Sequence, residues 1–500
     1  FLSKFIVIGV NLQMAMPNIV FVLTDDQGAW AMHCAGNDEI QTPNLDRIAA
    51  QGMRFDSFFC ASPVCSPARA SLLTGTIPSA HGVLDWLRAG NLDGERFAAQ
   101  GAEVPYGGYA EEHKPIQYLA GKITYTDVLA QNGYTCALSG KWHLGDSINP
   151  QHGFKYWYTI GRGGCCYYHP DIVENGTIEV MHGQYVTDLI TDKALEFLDT
   201  LSAKPEPFYL SVHYTAPHAP WEAEHHPKEF IEMYDNCPFH STPDVPDHPD
   251  LTCEPMYGTP RRHEKLRGYY AAVTAMDRGV GQLLDRLEEK GVADNTIVIF
   301  AADNGMNMGH HGIWGKGNGT RPMNMYDTSV KVPFMVRYPG VVPAGTVCRH
   351  MVSAYDFFPT LLDLLHLDAQ QTQKLPGHSF ADILRGQESS ERGEIVIFDE
   401  YGPVRMIRSE RFKYIHRYPY GPDEFYDLQA DPGEEHNLID DPAMESVILE
   451  MRRHMEQWFN RYADPDFDGT REGVTGSGQM CSAGTYAQRL EKYAPAGPNS

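Results

Sequence analysis

The sequence is short of positive charge: 40 Lys and Arg stand against 65 Asp and Glu, a formal net charge of −25 over 500 residues. Nucleic-acid binding is driven by clustered cations, so this deficit excludes a nucleic-acid surface. An anionic substrate must be drawn by a local basic pocket, because the global field repels it. Long apolar runs are also missing. The one near the start, residues 5–10, is too short to span a bilayer or to serve as the apolar stretch of a signal peptide. No integral membrane segment is expected, and residues 1–16 read as a leader remnant or an appended segment. The ten cysteines (34, 60, 65, 136, 165, 166, 237, 253, 348 and 481) form no CxxC pair, which excludes zinc-ribbon and secreted-scaffold frameworks. Neighbours Cys165 and Cys166 cannot close an unstrained disulfide. Unpaired cysteines and the lack of a clear signal peptide favour a cytoplasmic location, with the periplasm as the alternative.

Internal repeats and low-complexity segments are absent, so the rest reads as a folded globular chain. Two β-branched and aromatic runs, NIVFVLTDD (18–26) and TIVIFAADN (296–304), have the texture of strands buried on both faces, and both end in acidic residues. Apolar residues at helical spacing over 264–290 stop at Gly291 and lead into the second strand, as in an α/β unit. Ligands collect at the carboxyl ends of strands in open α/β sheets, so Asp25, Asp26, Asp303 and Asn304 are expected on one rim. From about residue 387 short alternating runs and a helix over 442–462 indicate a smaller α+β domain with a short antiparallel sheet. The expected division is therefore a large domain over 17–386, a subdomain over 387–470 and a surface tail over 471–500.

Taken singly, the acidic pairs read as caps or turns; together they offer hard oxygen ligands suited to Ca²⁺, with Mg²⁺ as the alternative, and unsuited to zinc. Four stretches add cations and imidazoles in Gly-, Pro- and Trp-rich loops. These are SGKWHLGD with Lys141 and His143, HYTAPHAPW with His218, GHHGIWGK with His311 and Lys316, and PVCSPARASLLTG with Cys65 and Arg69. A metal beside Lys141, Lys316 and Arg69 makes a pocket for a tetrahedral oxyanion, with imidazoles for proton transfer.

Cys65-Ser66-Pro67-Ala68-Arg69 followed by Thr74-Gly75 matches the pattern C-x-P-x-R-x4-T-G and resembles the type I sulfatases of the alkaline phosphatase superfamily. The likeness extends through LTDDQG, GKWHLG, APHAPW, ADNGMNMGHHGIWGK and the C-terminal FKYI and FYDLQADPGEEHNL, in family order. Position 68 is Ala where many members have Ser. The resemblance implies an alkaline phosphatase-like fold, with a large mixed, mostly parallel sheet between helices. It implies that a maturation enzyme oxidises Cys65 to formylglycine, whose hydrate joins Asp25, Asp26, Asp303 and Asn304 around calcium. Arg69 is then expected to hold the hydrate, Lys141 and Lys316 to bind sulfate oxygens, His143 to serve the hydrate and His218 the leaving-group oxygen. His311 and Arg321 are further candidates for substrate contact.

The expected reaction is hydrolysis of a sulfate ester, on a saccharide or an aryl group. The alternative is a phosphonate monoester or phosphodiester hydrolase of the same superfamily, from which Asn304 leans away; a non-catalytic anion-binding protein is the third reading. Trp86, Arg88, Arg162, the 167–169 stretch and the 321–324 stretch are candidates for a leaving-group subsite. The oligomeric state is not legible.

Overall fold

A computed structural model describes residues 16–98, 111–368, 374–387, 397–484 and 492–495. Residues 1–15 of the expected leader lie outside these. Five parallel strands form the centre of the sheet: β1 (Asn18–Thr24), β2 (Thr135–Gly140), β3 (Phe154–Ile160), β4 (Phe208–His213) and β5 (Thr296–Ala302). Four helices cover it: α1 (Cys65–Thr74), α2 (Val186–Ser202), α3 (Pro260–Glu289) and α4 (Ala354–Leu364). The ten-stranded sheet runs 346–348, 53–55, 334–337, β5, β1, β4, β2, β3, 171–174, 177–180. Pairing is parallel across the centre, and antiparallel strands flank it at 334–337 and 171–174. A parallel sheet must be covered on both faces, and β1 shows how: Ile19, Phe21 and Leu23 pack with Phe357, Phe358 and Leu72, while Val20 and Val22 pack with Ile190, Tyr269 and Val273. Two cores thus sandwich one sheet.

Helix α3 starts four residues before the expected 264, because Pro260, which lacks an N–H, suits a first turn. The C-terminal unit is a four-stranded antiparallel sheet over 397–427, backed by α5 (Glu445–Tyr462) through Phe398, Ile407, Phe425, Met455 and Phe459. Its helix begins three residues later than expected, since Asp441 first closes a turn onto Ala443 and Met444. The expected boundary near 387 borders the undescribed residues 388–396. Within the expected surface tail, residues 476–479 are buried and the Gly476, Gly478 and Gln479 amides find partners in the loop that follows α1, while residues 471, 473, 482 and 495 are exposed. Among the described residues no helix is long and apolar enough to cross a membrane.

Candidate active site

The sheet delivers its chemistry at one rim. β1 ends at Asp25 and Asp26, β2 at Lys141 and His143, β4 leads to His218, and β5 ends at Asp303 and Asn304. Cys65 is the first residue of α1 and faces the same place. Gly140, at φ 115°, allows the ends of the paired strands β2 and β4 to approach closely, since a Cβ there would sit 1.9 Å from the His213 carbonyl oxygen. Asp26 and His143 are held in the left-handed region, at φ 60° and 54°, the kind of backbone strain that concentrates at functional sites.

Three carboxylates meet three cations. Lys141 Nζ donates to Asp25 Oδ2 at 2.5 Å, Lys316 Nζ to Asp26 Oδ1 at 2.5 Å, and Arg69 Nε to Asp303 Oδ2 at 2.8 Å. Asp303 Oδ1 accepts from the Asp26 and Asn304 amides, and Asn304 Nδ2 donates to Asp26 Oδ1. Ligand atoms of Asp25, Asp26 and Asp303 lie within 4.8 Å of one another. Asp25 Oδ1 and Asn304 Oδ1 are buried without a hydrogen-bond partner, although burying an acceptor unpaired is costly. An all-oxygen cluster with unpartnered acceptors fits a hard divalent cation. The three cations already neutralise the carboxylates, so a bound divalent ion leaves the site with two positive charges for an anion.

Burial alone raises the Asp25 carboxyl, but Lys141, then His218, Arg69 and Lys316, overcome it and hold it below the usual carboxylate range. Burial raises the Cys65 thiol, against the pull of Lys141 and Lys316, although Lys316 Nζ is only 3.6 Å from Sγ. The thiol is therefore not poised as a thiolate. Burial, with Lys141 adding to it, pushes His143 well below the ordinary imidazole value and keeps it neutral. Its Nε2 bonds the Leu87 carbonyl at 3.0 Å, which places the ring proton there and leaves Nδ1 a buried, unpartnered acceptor. His218 Nδ1 donates to Ala219 O at 2.8 Å, leaving Nε2 3.7 Å from Asp26 Oδ2.

Asp26, Lys316, Cys65, His143 and His218 form the floor of a cavity of about 1130 Å³ whose lining also includes Trp86 and Trp221. Arg88 and Arg162 also line it, paired with Glu111 and Asp171. Lys141 is fully buried beneath the floor. Two expected substrate contacts lie elsewhere. The His311 ring stacks on Tyr326 at 3.8 Å, because a left-handed φ of 55° turns the chain there, and the Arg321 guanidinium donates to Thr475 O and Ser477 Oγ. Neither lines the cavity, nor do Tyr167, Tyr168 and His169. His213 was not singled out from its sequence; its Nδ1 donates to the Lys141 carbonyl, which Arg69 also binds. Its position at the end of an apolar strand was the only available signal.

The Sulfatase family model matches residues 17–367, and a second, for the C-terminal part of N-sulphoglucosamine sulphohydrolase, matches residues 309–461. Among curated proteins, the N-acetylglucosamine-6-O-sulfatase of Bacteroides thetaiotaomicron is 28% identical over 90% of this chain and 88% of its own length. The ulvan-active sulfatase of Formosa agariphila is 28% identical over 87% of this chain and 79% of its own. The solved structure of BT4656 in complex with its substrate D-glucosamine-2-N,6-O-disulfate superposes with a TM-score of 0.72 at 26% identity, covering 91% of this chain and 100% of that one.

Proposed function

Because the chain belongs to the sulfatase family of the alkaline phosphatase superfamily, whose members are sulfuric ester hydrolases, we propose that it removes a sulfate ester from a saccharide, with an oxidised Cys65 as nucleophile and calcium as metal. The observation that carries this reading is the convergence of Cys65, Lys316, His143 and His218 on one cavity floor over the Asp25–Asp26–Asp303 cluster. The saccharide is supported by Trp86 and Trp221, whose indole N–H groups are tied to Gly476 O and Pro217 O, so that the rings stand as fixed walls. The relatives that act on N-acetylglucosamine and ulvan sulfates support it further.

Asp25, Asp26, Asp303 and Asn304 hold the ion in this reading. When present, calcium supplies Lewis-acid polarisation and the formylglycine made from Cys65 supplies the attacking oxygen. The chain's own residues do the rest. Arg69, 2% exposed and anchored to Asp303, fixes the charge balance beside position 65. Lys316, which lines the cavity, meets negative charge on the sulfuryl oxygens and contributes on the order of 3 kcal/mol in a dry site, while Lys141, buried beneath the floor, adds its charge from behind Asp25. His218, when doubly protonated, hands its Nε2 proton to the departing oxygen and keeps the Nδ1 proton on the Ala219 carbonyl, and His143 accepts a proton at Nδ1. The raised Cys65 thiol favours this reading over direct thiolate catalysis, because a neutral buried thiol is a poor nucleophile.

The test is ion chromatography of products from calcium-loaded enzyme, with conversion of Cys65 confirmed by peptide mass. Sulfated monosaccharides and phosphonate esters are offered side by side. Release of sulfate from a sulfated sugar is the expected outcome; preferential cleavage of the phosphonate ester overturns the reading.

A further inference from the structure

The stretch that follows α1 is bound to the chain's C-terminal segment with unusual density. Gln479 is fully buried and uses every polar group it has. Its Oε1 accepts from the Leu84 and Asp85 amides at 2.9 and 3.4 Å, and its Nε2 donates to Gly82 O and Cys481 O at 3.1 and 2.9 Å. Its amide donates to Trp86 O at 2.7 Å, and its carbonyl accepts from the Arg88 amide at 3.0 Å. Asp85 reinforces this clamp, its Oδ2 accepting from the Gly476 and Gly478 amides and its Oδ1 from the Tyr401 hydroxyl.

The clamped loop touches the catalytic floor at one residue. Leu87 sits between Trp86 and Arg88, the two residues that the Gln479 main chain binds. Its amide donates to Ser66 Oγ at 3.0 Å, next to Cys65, and its carbonyl takes the Nε2 proton of His143 at 3.0 Å. Trp86 is held a second time, through its indole N–H to Gly476 O at 3.2 Å. A displacement of residues 84–88 therefore moves a wall of the cavity and the acceptor that selects the His143 tautomer.

We infer that Gln479 is a positioning residue: acting through residues 84–88, it fixes the ring proton of His143 on Nε2 and sets Trp86 as the wall against which the sugar stacks. The kinetic part of this inference rests on the sulfatase reading; the ring tautomer does not. Nearly 400 residues separate Gln479 from Leu84, so the C-terminal segment completes a site whose other residues lie between positions 25 and 316.

The experiment labels the full-length chain with ¹⁵N-histidine and reads the His143 tautomer by NMR, the signal being assigned by its loss in His143→Ala. The wild type is expected to show a single tautomer protonated on Nε2. Gln479→Ala, and Gln479→Met, which keeps the volume and both backbone bonds if the alanine variant fails to fold, are expected to show mixed or reversed tautomers. Both are expected to lower kcat for sulfate release by about 10- to 100-fold, the scale seen when an outer-shell partner is removed. They are also expected to raise KM for a sulfated monosaccharide more than KM for a small aryl sulfate. Met451→Ala, in the core of the C-terminal sheet, is the stability control and is expected to leave the tautomer and kcat in place. A wild-type tautomer with wild-type kcat in either folded Gln479 variant overturns the inference. If the wild type releases no sulfate from any ester, the sulfatase reading falls while the tautomer still decides the role of Gln479.

Discussion

Replacing Lys316 with Met is expected to destroy catalysis and tighten calcium binding, although it alters the site. The Lys316 ammonium lies 2.5 Å from Asp26 Oδ1, an oxygen that the proposed ion needs. With a Ca–O distance of roughly 2.4 Å, ion and ammonium would stand at most about 5 Å apart across the shared oxygen. At an effective dielectric of 20, a divalent and a monovalent cation at that separation repel by about 7 kcal/mol. Any displacement of the ammonium by an entering ion relaxes this repulsion, so the figure is an upper bound. A residue of about 1.4 to 2.8 kcal/mol corresponds to 10- to 100-fold tighter binding in Lys316→Met. Linkage gives the same box from the other side. Without metal the variant loses about 3 kcal/mol of stability, because a buried carboxylate has lost its countercharge, and saturating calcium returns much of that loss. Calorimetric calcium titration of both proteins with Cys65 unconverted, followed by denaturant unfolding with and without calcium, measures both edges. Weaker calcium binding by Lys316→Met, or an equal stability loss with and without calcium, refutes the reasoning.

Cys65→Ala is expected to release no sulfate while unfolding within about 1 kcal/mol of the wild type, since a small buried thiol is lost without a large cavity; denaturant midpoints and ion chromatography check both halves. Gly163→Ala is expected to cost at least tenfold in kcat/KM, because the added Cβ would meet His143 Nε2 at 2.1 Å, and kinetics on calcium-loaded enzyme measures it. Burial raises the Asp277 carboxyl to about 6 from 3.8, against the amides of Leu45 and Asn44 that it accepts from. A raised folded value means that the folded state holds the proton more tightly, so stability falls as pH rises from about 4 to about 6, by on the order of 3 kcal/mol for this group. Urea midpoints at pH 4 and 6.5 should show that decline in the wild type and a smaller one in Asp277→Asn.

The parts of the site that sequence reveals are those fixed by local rules. β1 and β5 are legible because a strand covered on both faces must be continuously apolar, and their ends carry the acidic ligands. Lys141 and His143 are legible instead from the Gly- and Trp-rich texture of SGKWHLGD and the family resemblance, since β2 (TCALSG) is no continuous apolar run. The C-terminal sheet is legible because its strands alternate, and α5 because its apolar residues recur at helical spacing.

His311 and Arg321 stand outside the cavity lining for one reason, which is that a chemically apt residue near Lys316 in sequence need not face the cavity. His311 lies five positions before Lys316, yet a left-handed turn carries its ring onto Tyr326. Arg321 lies five positions after it, yet its hydrogen-bond partners come from residues 154 and 156 positions away. Gln479 shows the converse. Set in the stretch GSGQM, it has the local texture of a solvated turn, and every property that gives it weight is a hydrogen bond made after folding. A glutamine satisfied at all its polar groups by backbone adds no charge and no apolar area, so neither the hydrophobic pattern nor the charge pattern of the sequence registers it. Its effect on the chemistry passes through a single carbonyl, Leu87 O, whose position no side-chain pattern encodes. The catalytic floor is thus written in strand ends, while the wall that positions it is written in contacts between distant segments.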